Sequence, residues 1–121
     1  MRQAYAHDAV VVMQPGGDAN ASGGAIAIAL CGHWDHPPPC PLAPHHVANF
    51  SAGEIVTLRV LFATEPVNEQ RVRSLIGEAL GAGRVTGPDG RVATWKLRSV
   101  APGSVRADEK DHAARLISHG L

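Results

Sequence analysis

The spacing of apolar residues along the chain predicts four β-strands. In residues 55–63 and 92–100 apolar positions recur with the two-residue period of a strand that buries one face, whereas residues 9–13 and 25–31 are short, wholly apolar segments. The clearest example is the third strand, where Leu58 and Phe62 lie on the inward face and Arg59 lies on the outward, open face. The predicted strands cover residues 9–13, 25–31, 55–63 and 92–100.

The second predicted strand is apolar on both of its faces. Ile26, Ile28 and Leu30 point to one side, and a row of small residues that includes Ala27 and Cys31 points to the other. A strand of this kind is typical of the centre of a sheet. If helices cover the isoleucine side, the alanine side remains an open apolar surface. This predicts a homodimer formed by stacking the open sheet faces of two copies.

Two segments have the 3.6-residue period of amphipathic helices. In residues 68–82 the apolar stripe includes Val72 and Leu80. The second helix is predicted over residues 106–119 and is ended by Gly120. Between the two helices, the Pro-Asp-Gly sequence at 88–90 predicts a tight hairpin turn.

This order of elements predicts one α+β domain over residues 1–121. The expected architecture is a mostly antiparallel sheet of about four to five strands with two helices on one face. A ferredoxin-like arrangement is the nearest common architecture. Aromatic residues make up only 4% of the chain, so a few large side chains are expected to anchor the core. They are Trp34, Trp95, Phe50 and Phe62.

The charge and hydropathy of the chain argue against several classes of function. Its 11 basic and 11 acidic residues balance, which disfavours nucleic acid or an anionic membrane surface as the partner. No apolar run is long enough to cross a bilayer, and the first residues lack the apolar stretch of a secretory signal. We therefore expect a cytoplasmic protein. In a reducing compartment its two cysteines, Cys31 and Cys40, are expected to be free or metal-bound rather than joined in a disulfide.

Residues 31–51 concentrate the side chains that bind metal ions. This segment is predicted to be a loop rich in histidine, cysteine and proline. Thiolate and imidazole groups are ligands that zinc prefers in proteins, and the prolines restrict the backbone that carries them. The candidate ligands are Cys31, His33, His36, Cys40, His45 and His46.

Backbone spacing narrows the combinations of ligands. In an extended segment Cys31 and His33 lie ~6.6 Å apart on the same side, within reach of one ion. If the prolines between His36 and Cys40 form an extended rod, these two residues lie ~12 Å apart at their backbones, too far to share an ion comfortably. The favoured site therefore joins the first pair to residues of the returning arm. These are Cys40, His45 or His46.

Three interpretations of the loop remain open. The favoured one is a small metal-binding domain, with zinc as the expected ion and copper as the alternative. In the second, the loop is a structural arm of a protein-interaction or homo-oligomerisation module, and Cys31 is a small buried apolar residue. In the third, a cysteine and a histidine such as Cys31 and His45 form the thiolate–imidazole pair of a small metal- or Cys/His-dependent enzyme. No interpretation identifies a substrate.

Overall fold

The computed structural model describes residues 1–32 and 42–119. These residues form five β-strands and three α-helices, with a short 3-10 turn before each of the last two helices. In chain order the elements are β1 (Gln3–Met13), α1 (Ala21–Cys31), β2 (His45–Ala52), β3 (Ile55–Thr64), α2 (Glu69–Ala82), β4 (Arg84–Thr86), β5 (Val92–Gly103) and α3 (Lys110–His119).

The strands form an antiparallel sheet in the order β2-β3-β1-β5-β4. The predicted α+β class and the antiparallel sheet are confirmed. Helices α1 and α2 pack against one face, here called the inner face, and α3 packs against the opposite, outer face. The additional helix α1, and the position of α3 on the outer face, correct the prediction of two helices on one face. No helix within the described residues is long and apolar enough to span a membrane.

The segment predicted as the second strand is instead part of helix α1. A short, wholly apolar segment has no period that separates a buried strand from a buried helix. Small residues let this helix lie close to the sheet, since a Cβ atom added at Gly23 would lie 3.3 Å from Cγ1 of Val47. Ala25 and Ala27 are buried within the protomer, so the alanine surface on which the predicted dimer depended is not formed.

The inner face carries the hydrophobic core. The helix predicted over residues 68–82 is confirmed as α2, and Leu80 from its apolar stripe is fully buried. Phe62 and Trp95 anchor the core as predicted. The indole N–H of Trp95 donates a 2.9 Å hydrogen bond to the carbonyl oxygen of Leu80, which joins β5 to the end of α2.

β2 lies inside the segment that the sequence predicts to be a loop. Residues 45–52 pair with β3 along their whole length. Hydrogen bonds to a neighbouring strand stabilise this segment although its own sequence has little strand character. Phe50 points to the outer face of this edge strand and is 67% exposed, so the prediction that it anchors the core is wrong. Trp34 lies outside the described residues.

Arg59 holds α3 against the outer face. Its side chain is only 10% exposed, although the sequence predicts an open face at this position. Nη1 donates to both carboxylate oxygens of Asp8, at 3.0 and 3.1 Å. Nε and Nη2 donate to the carboxylate of Glu109, at 3.1 and 2.6 Å, and Nη2 also donates to the carbonyl oxygen of Ser104 at 2.6 Å. One guanidinium thus joins β3, β1 and the turn that begins α3.

The Glu109→Gln variant is expected to have a lower free energy of unfolding at neutral pH than the wild-type chain, and this difference is expected to disappear in acid. Hydrogen bonds from Arg59 lower the pKa of Glu109 from 4.5 to about 2. Because the folded-state pKa is depressed, the stabilisation is present above pH 4.5 and is lost as the pH falls through 2. Urea unfolding at a series of pH values should show the variant about 1–3 kcal/mol less stable at neutral pH. The difference in free energy of unfolding between the two chains should vanish in acid. A difference that stays constant with pH would contradict the role of Glu109.

Replacement of Gly103 by alanine is expected to break the Asp8–Arg59 ion pair. An added Cβ atom would overlap Oδ2 of Asp8 and lie 2.8 Å from Nη1 of Arg59. Gly77 in α2 is the matched control because nothing lies within 4 Å of an added Cβ there. Removing a helical glycine stabilises by about 0.5–1 kcal/mol. Thermal unfolding should show a lower Tm for Gly103→Ala and a higher Tm for Gly77→Ala. A shift in the same direction for both variants would rule out this account.

Candidate functional site

The end of α1 and the start of β2 bring two reactive side chains together. Cys31 is the last residue of α1, and His45 is the first residue of β2. Sγ of Cys31 lies 3.8 Å from Nδ1 of His45. The two residues are 14 positions apart in the sequence, so the contact depends on the fold.

Local backbone features position both side chains. Gly32 ends α1 in the left-handed conformation, with φ of 82°, and its N–H donates to the carbonyl oxygen of Ile28 at 2.8 Å. Glycine adopts this conformation without a steric penalty. His45 pairs with Phe62 on the inner face and is only 3% exposed. Its Nδ1 also lies 3.1 Å from the carbonyl oxygen of Ala43.

Cys31 is disulfide-bonded in this structure, which corrects the expectation that the cysteines are not paired in a disulfide. The other cysteine of the chain, Cys40, lies outside the described residues, as do the predicted ligands His33 and His36. The expectation depended on the compartment inferred for the chain. Cysteine spacing alone does not decide between a disulfide and a metal site.

The contact between Cys31 and His45 has the dimensions of one edge of a tetrahedral zinc site. With a Zn–S bond of about 2.3 Å and a Zn–N bond of about 2.1 Å, the two ligand atoms lie about 3.6 Å apart. The observed separation is 3.8 Å. The disulfide sulfur is not a thiolate, so Cys31 can act as a zinc ligand only after reduction. Among residues 1–32 and 42–119, no group of three or more side chains is arranged to hold a metal ion.

His46 lies on the other face of the sheet. Adjacent side chains of a strand point to opposite sides, so His46 faces outward while His45 faces the core. The ring centre of His46 lies 4.6 Å from that of His112 in α3, with the ring planes at 55°. Of the predicted ligands that the structure describes, Cys31 and His45 are brought together and His46 is separated from them.

The sequence analysis did not predict a buried polar cluster around Arg73. Nη1 of Arg73 donates to Nδ1 of His7 at 2.8 Å and to the carbonyl oxygen of Ala6 at 2.7 Å. Its Nε donates to Glu69, one helical turn earlier, at 2.8 Å. Burial lowers the pKa of His7, and the Arg73 guanidinium lowers it further, which keeps the ring neutral and able to accept this bond. The cluster joins α2 to β1, and the four-residue spacing of Glu69 and Arg73 is the one sequence signal that could have indicated part of it.

A cleft of about 640 Å³ lies between the turn after β1 and the turn that joins β4 to β5. Its carboxylates bond within these turns. Asp18 accepts a hydrogen bond from the backbone N–H of Asn20 at 2.9 Å, and Asp89 accepts one from that of Arg91 at 3.0 Å. These polar groups therefore stabilise the two turns that form the walls of the cleft.

No family model matches the chain, and no curated protein matches its sequence. Its function is therefore inferred from the chemistry of its own residues, above all from the contact between Cys31 and His45.

Proposed function

We propose that the reduced chain is a small zinc-binding domain. The observation that supports this function is the 3.8 Å contact between Sγ of Cys31 and Nδ1 of His45. A helix end and a strand hold these two atoms, so little conformational entropy is lost when an ion binds. Copper is the alternative ion, because it also accepts thiolate and imidazole ligands. The remaining two ligands of a tetrahedral site are proposed from the predicted loop and are His33 and Cys40.

The surroundings of His45 influence how zinc would bind. Its Nδ1 lies 3.1 Å from the carbonyl oxygen of Ala43 and can donate a hydrogen bond to it. Zinc at Nδ1 would take the place of that proton and leave the ring proton on Nε2. The thiol of Cys31 must also lose its proton, so zinc affinity is expected to rise with pH.

The disulfide and zinc compete for the same sulfur atom. A dithiol reductant would convert the disulfide of Cys31 into two thiols and would itself be oxidised to a disulfide. The Cys31 thiolate would then be available to zinc. Occupancy of the proposed site would therefore depend on redox state, and the cytoplasm is the proposed location because it keeps thiols reduced.

A redox-active pair of Cys31 and His45 is a second candidate, supported by the same contact. An imidazole N–H directed at sulfur stabilises the thiolate and lowers the pKa of the thiol. A stabilised thiolate leaves more readily in thiol–disulfide exchange. In this case the chain would act as a small Cys/His-dependent enzyme without a metal.

The part of the outer face that no described element covers supports a third candidate, a homo-oligomerisation module. Phe50 and Thr57 are cross-strand neighbours on this face, on the far side of Arg59 from the half that α3 covers. Phe50 is 67% exposed, and Ile55 in the next cross-strand row is 37% exposed. Apolar side chains on an uncovered sheet face favour packing against the same face of a second copy.

For the architecture we propose a ferredoxin-like core with two additions. The order β1-α1-β2-β3-α2-β5 is the strand–helix–strand–strand–helix–strand order typical of that fold. The order β2-β3-β1-β5 within the sheet supports the same assignment. The short strand β4 and helix α3 would be the additions, and Cys31 would end the first crossover helix.

Tight zinc binding is expected to require reduction, Cys31 and His45. Reduced, untagged protein should retain about one zinc ion per chain against a competing chelator, and disulfide-bonded protein should retain none, as measured by elemental mass spectrometry. Cys31→Ser and His45→Gln should each weaken binding by at least about 100-fold. His46→Ala is the matched control and should bind zinc normally, because that side chain faces outward.

Absence of tight zinc binding by the reduced protein would refute the zinc site. The redox candidate would then be tested in a Cys40→Ser background, in which Cys31 is the single cysteine of the sequence. Its alkylation by iodoacetamide should be half-maximal below pH about 8.5, and His45→Gln should move the midpoint upward. An unchanged midpoint would refute the redox candidate as well.

Phe50→Lys is expected to abolish self-association through the outer face. Light scattering after size exclusion, at about 1–200 μM protein, should give a mass approaching that of a dimer for the wild-type chain and of a monomer for the variant. Val67→Lys is the matched control because Val67 is 86% exposed in the turn before α2. A monomeric wild-type chain at the highest concentration would remove this candidate.

A further inference from the structure

We propose that His46 and His112 form a second metal site, which takes a divalent transition-metal ion on the outer face of the sheet. The two rings belong to β2 and α3, and their centres lie 4.6 Å apart. This site is independent of the one proposed at Cys31 and His45, which lies on the inner face.

The separation of the two rings matches two imidazoles bound to one ion. With a metal–nitrogen bond of about 2.1 Å, each ring centre lies about 3.2 Å from the metal. Two such centres are about 4.5 Å apart when the ligands subtend a right angle and about 5.2 Å apart at a tetrahedral angle. The observed 4.6 Å corresponds to the right angle. Right angles are typical of the tetragonal sites of Cu²⁺ and Ni²⁺.

Both ligands lie on elements whose relative position is fixed. His46 pairs with Leu61 of β3 within the sheet. The start of α3 is held to the same sheet by the 2.6 Å ion pair between Glu109 and Arg59. Rigid support of this kind keeps two side chains near a shared ion before it binds.

The exposure of the pair suits an ion that keeps bound water. His46 is exposed and His112 is half-buried, so an ion between them can be reached from solvent. Two imidazoles without a thiolate favour Ni²⁺, Cu²⁺ or Zn²⁺ over Mg²⁺ and Ca²⁺, which prefer oxygen ligands. An ion at this position would connect β2 to α3 and would stabilise the folded chain more strongly as the free ion concentration rises above its Kd.

The disulfide-bonded protein allows this site to be tested alone, because Cys31 is not a thiolate in that form. Titration calorimetry of untagged protein with Ni²⁺ should show binding at about one site per chain, and Ni²⁺ should raise the Tm. His46→Ala and His112→Ala should each weaken Ni²⁺ binding at least about tenfold. Lys110→Ala is the matched control, since this exposed side chain lies in the same helix as His112 and is not a candidate ligand, and the variant should bind Ni²⁺ as the wild-type chain does.

A measurement on the wild-type chain guards against variants that fold poorly. Ni²⁺ should protect both His46 and His112 from modification by diethyl pyrocarbonate, as mapped by peptide mass spectrometry. No binding by the wild-type chain, unchanged binding by His112→Ala, or loss of binding in Lys110→Ala would overturn the proposal. Failure of tight zinc binding in the reduced protein, with Ni²⁺ binding intact in the oxidised protein, would refute the inner site and leave this one standing.

Discussion

The ion pairs of Arg59 are the interaction on which the outer half of the molecule depends. A guanidinium that is only 10% exposed has lost most of its hydration, and two carboxylates and one carbonyl oxygen replace it. Removing one partner would leave a charge without compensation, which costs far more than an exposed ion pair contributes. Gly103 belongs to the same arrangement, because a side chain there would overlap the Asp8 carboxylate.

Arg59 also determines which part of the outer face α3 covers. Its bond to Glu109 fixes the start of the helix, and His112 then lies against His46. No element of residues 1–32 or 42–119 covers the part of the sheet beyond Arg59, and Phe50 is exposed on it. Two proposed properties of this face, a metal site at one end and a surface for self-association at the other, are thus consequences of where one helix is attached.

The inner site depends on a different constraint, the position at which α1 ends. Because α1 ends at Gly32, Cys31 comes within 3.8 Å of a histidine at the start of β2. That distance is compatible with a shared zinc ion and with a thiolate stabilised by imidazole. The sulfur is either part of the disulfide or a thiolate, and only the thiolate can bind zinc. A metal ion or another ligand that binds the thiolate also opposes re-formation of the disulfide, because ligand binding and oxidation compete for the same reduced cysteine. Redox state and ligand affinity are therefore coupled at Cys31.

The sequence by itself determined the elements whose pattern has one period and one buried face. The stripe of α2 and the alternation of β3 predicted both elements closely, and Phe62 and Trp95 were identified as core residues. It also pointed to residues 31–51 as the segment where reactive side chains concentrate, and to Cys31 and His45 among the candidate ligands.

Only the tertiary structure decided the rest, because burial and proximity depend on what another segment covers. The apolar residues before Cys31 suit a buried strand and a buried helix equally well, and in the folded chain they form α1, whose Gly23 lies close to Val47. Arg59 is buried because α3 covers it, whereas Phe50 is exposed because nothing in the described part of the chain does. His45 and His46 are neighbours in sequence, yet the alternation of β2 assigns one to the core with Cys31 and the other to the outer face with His112.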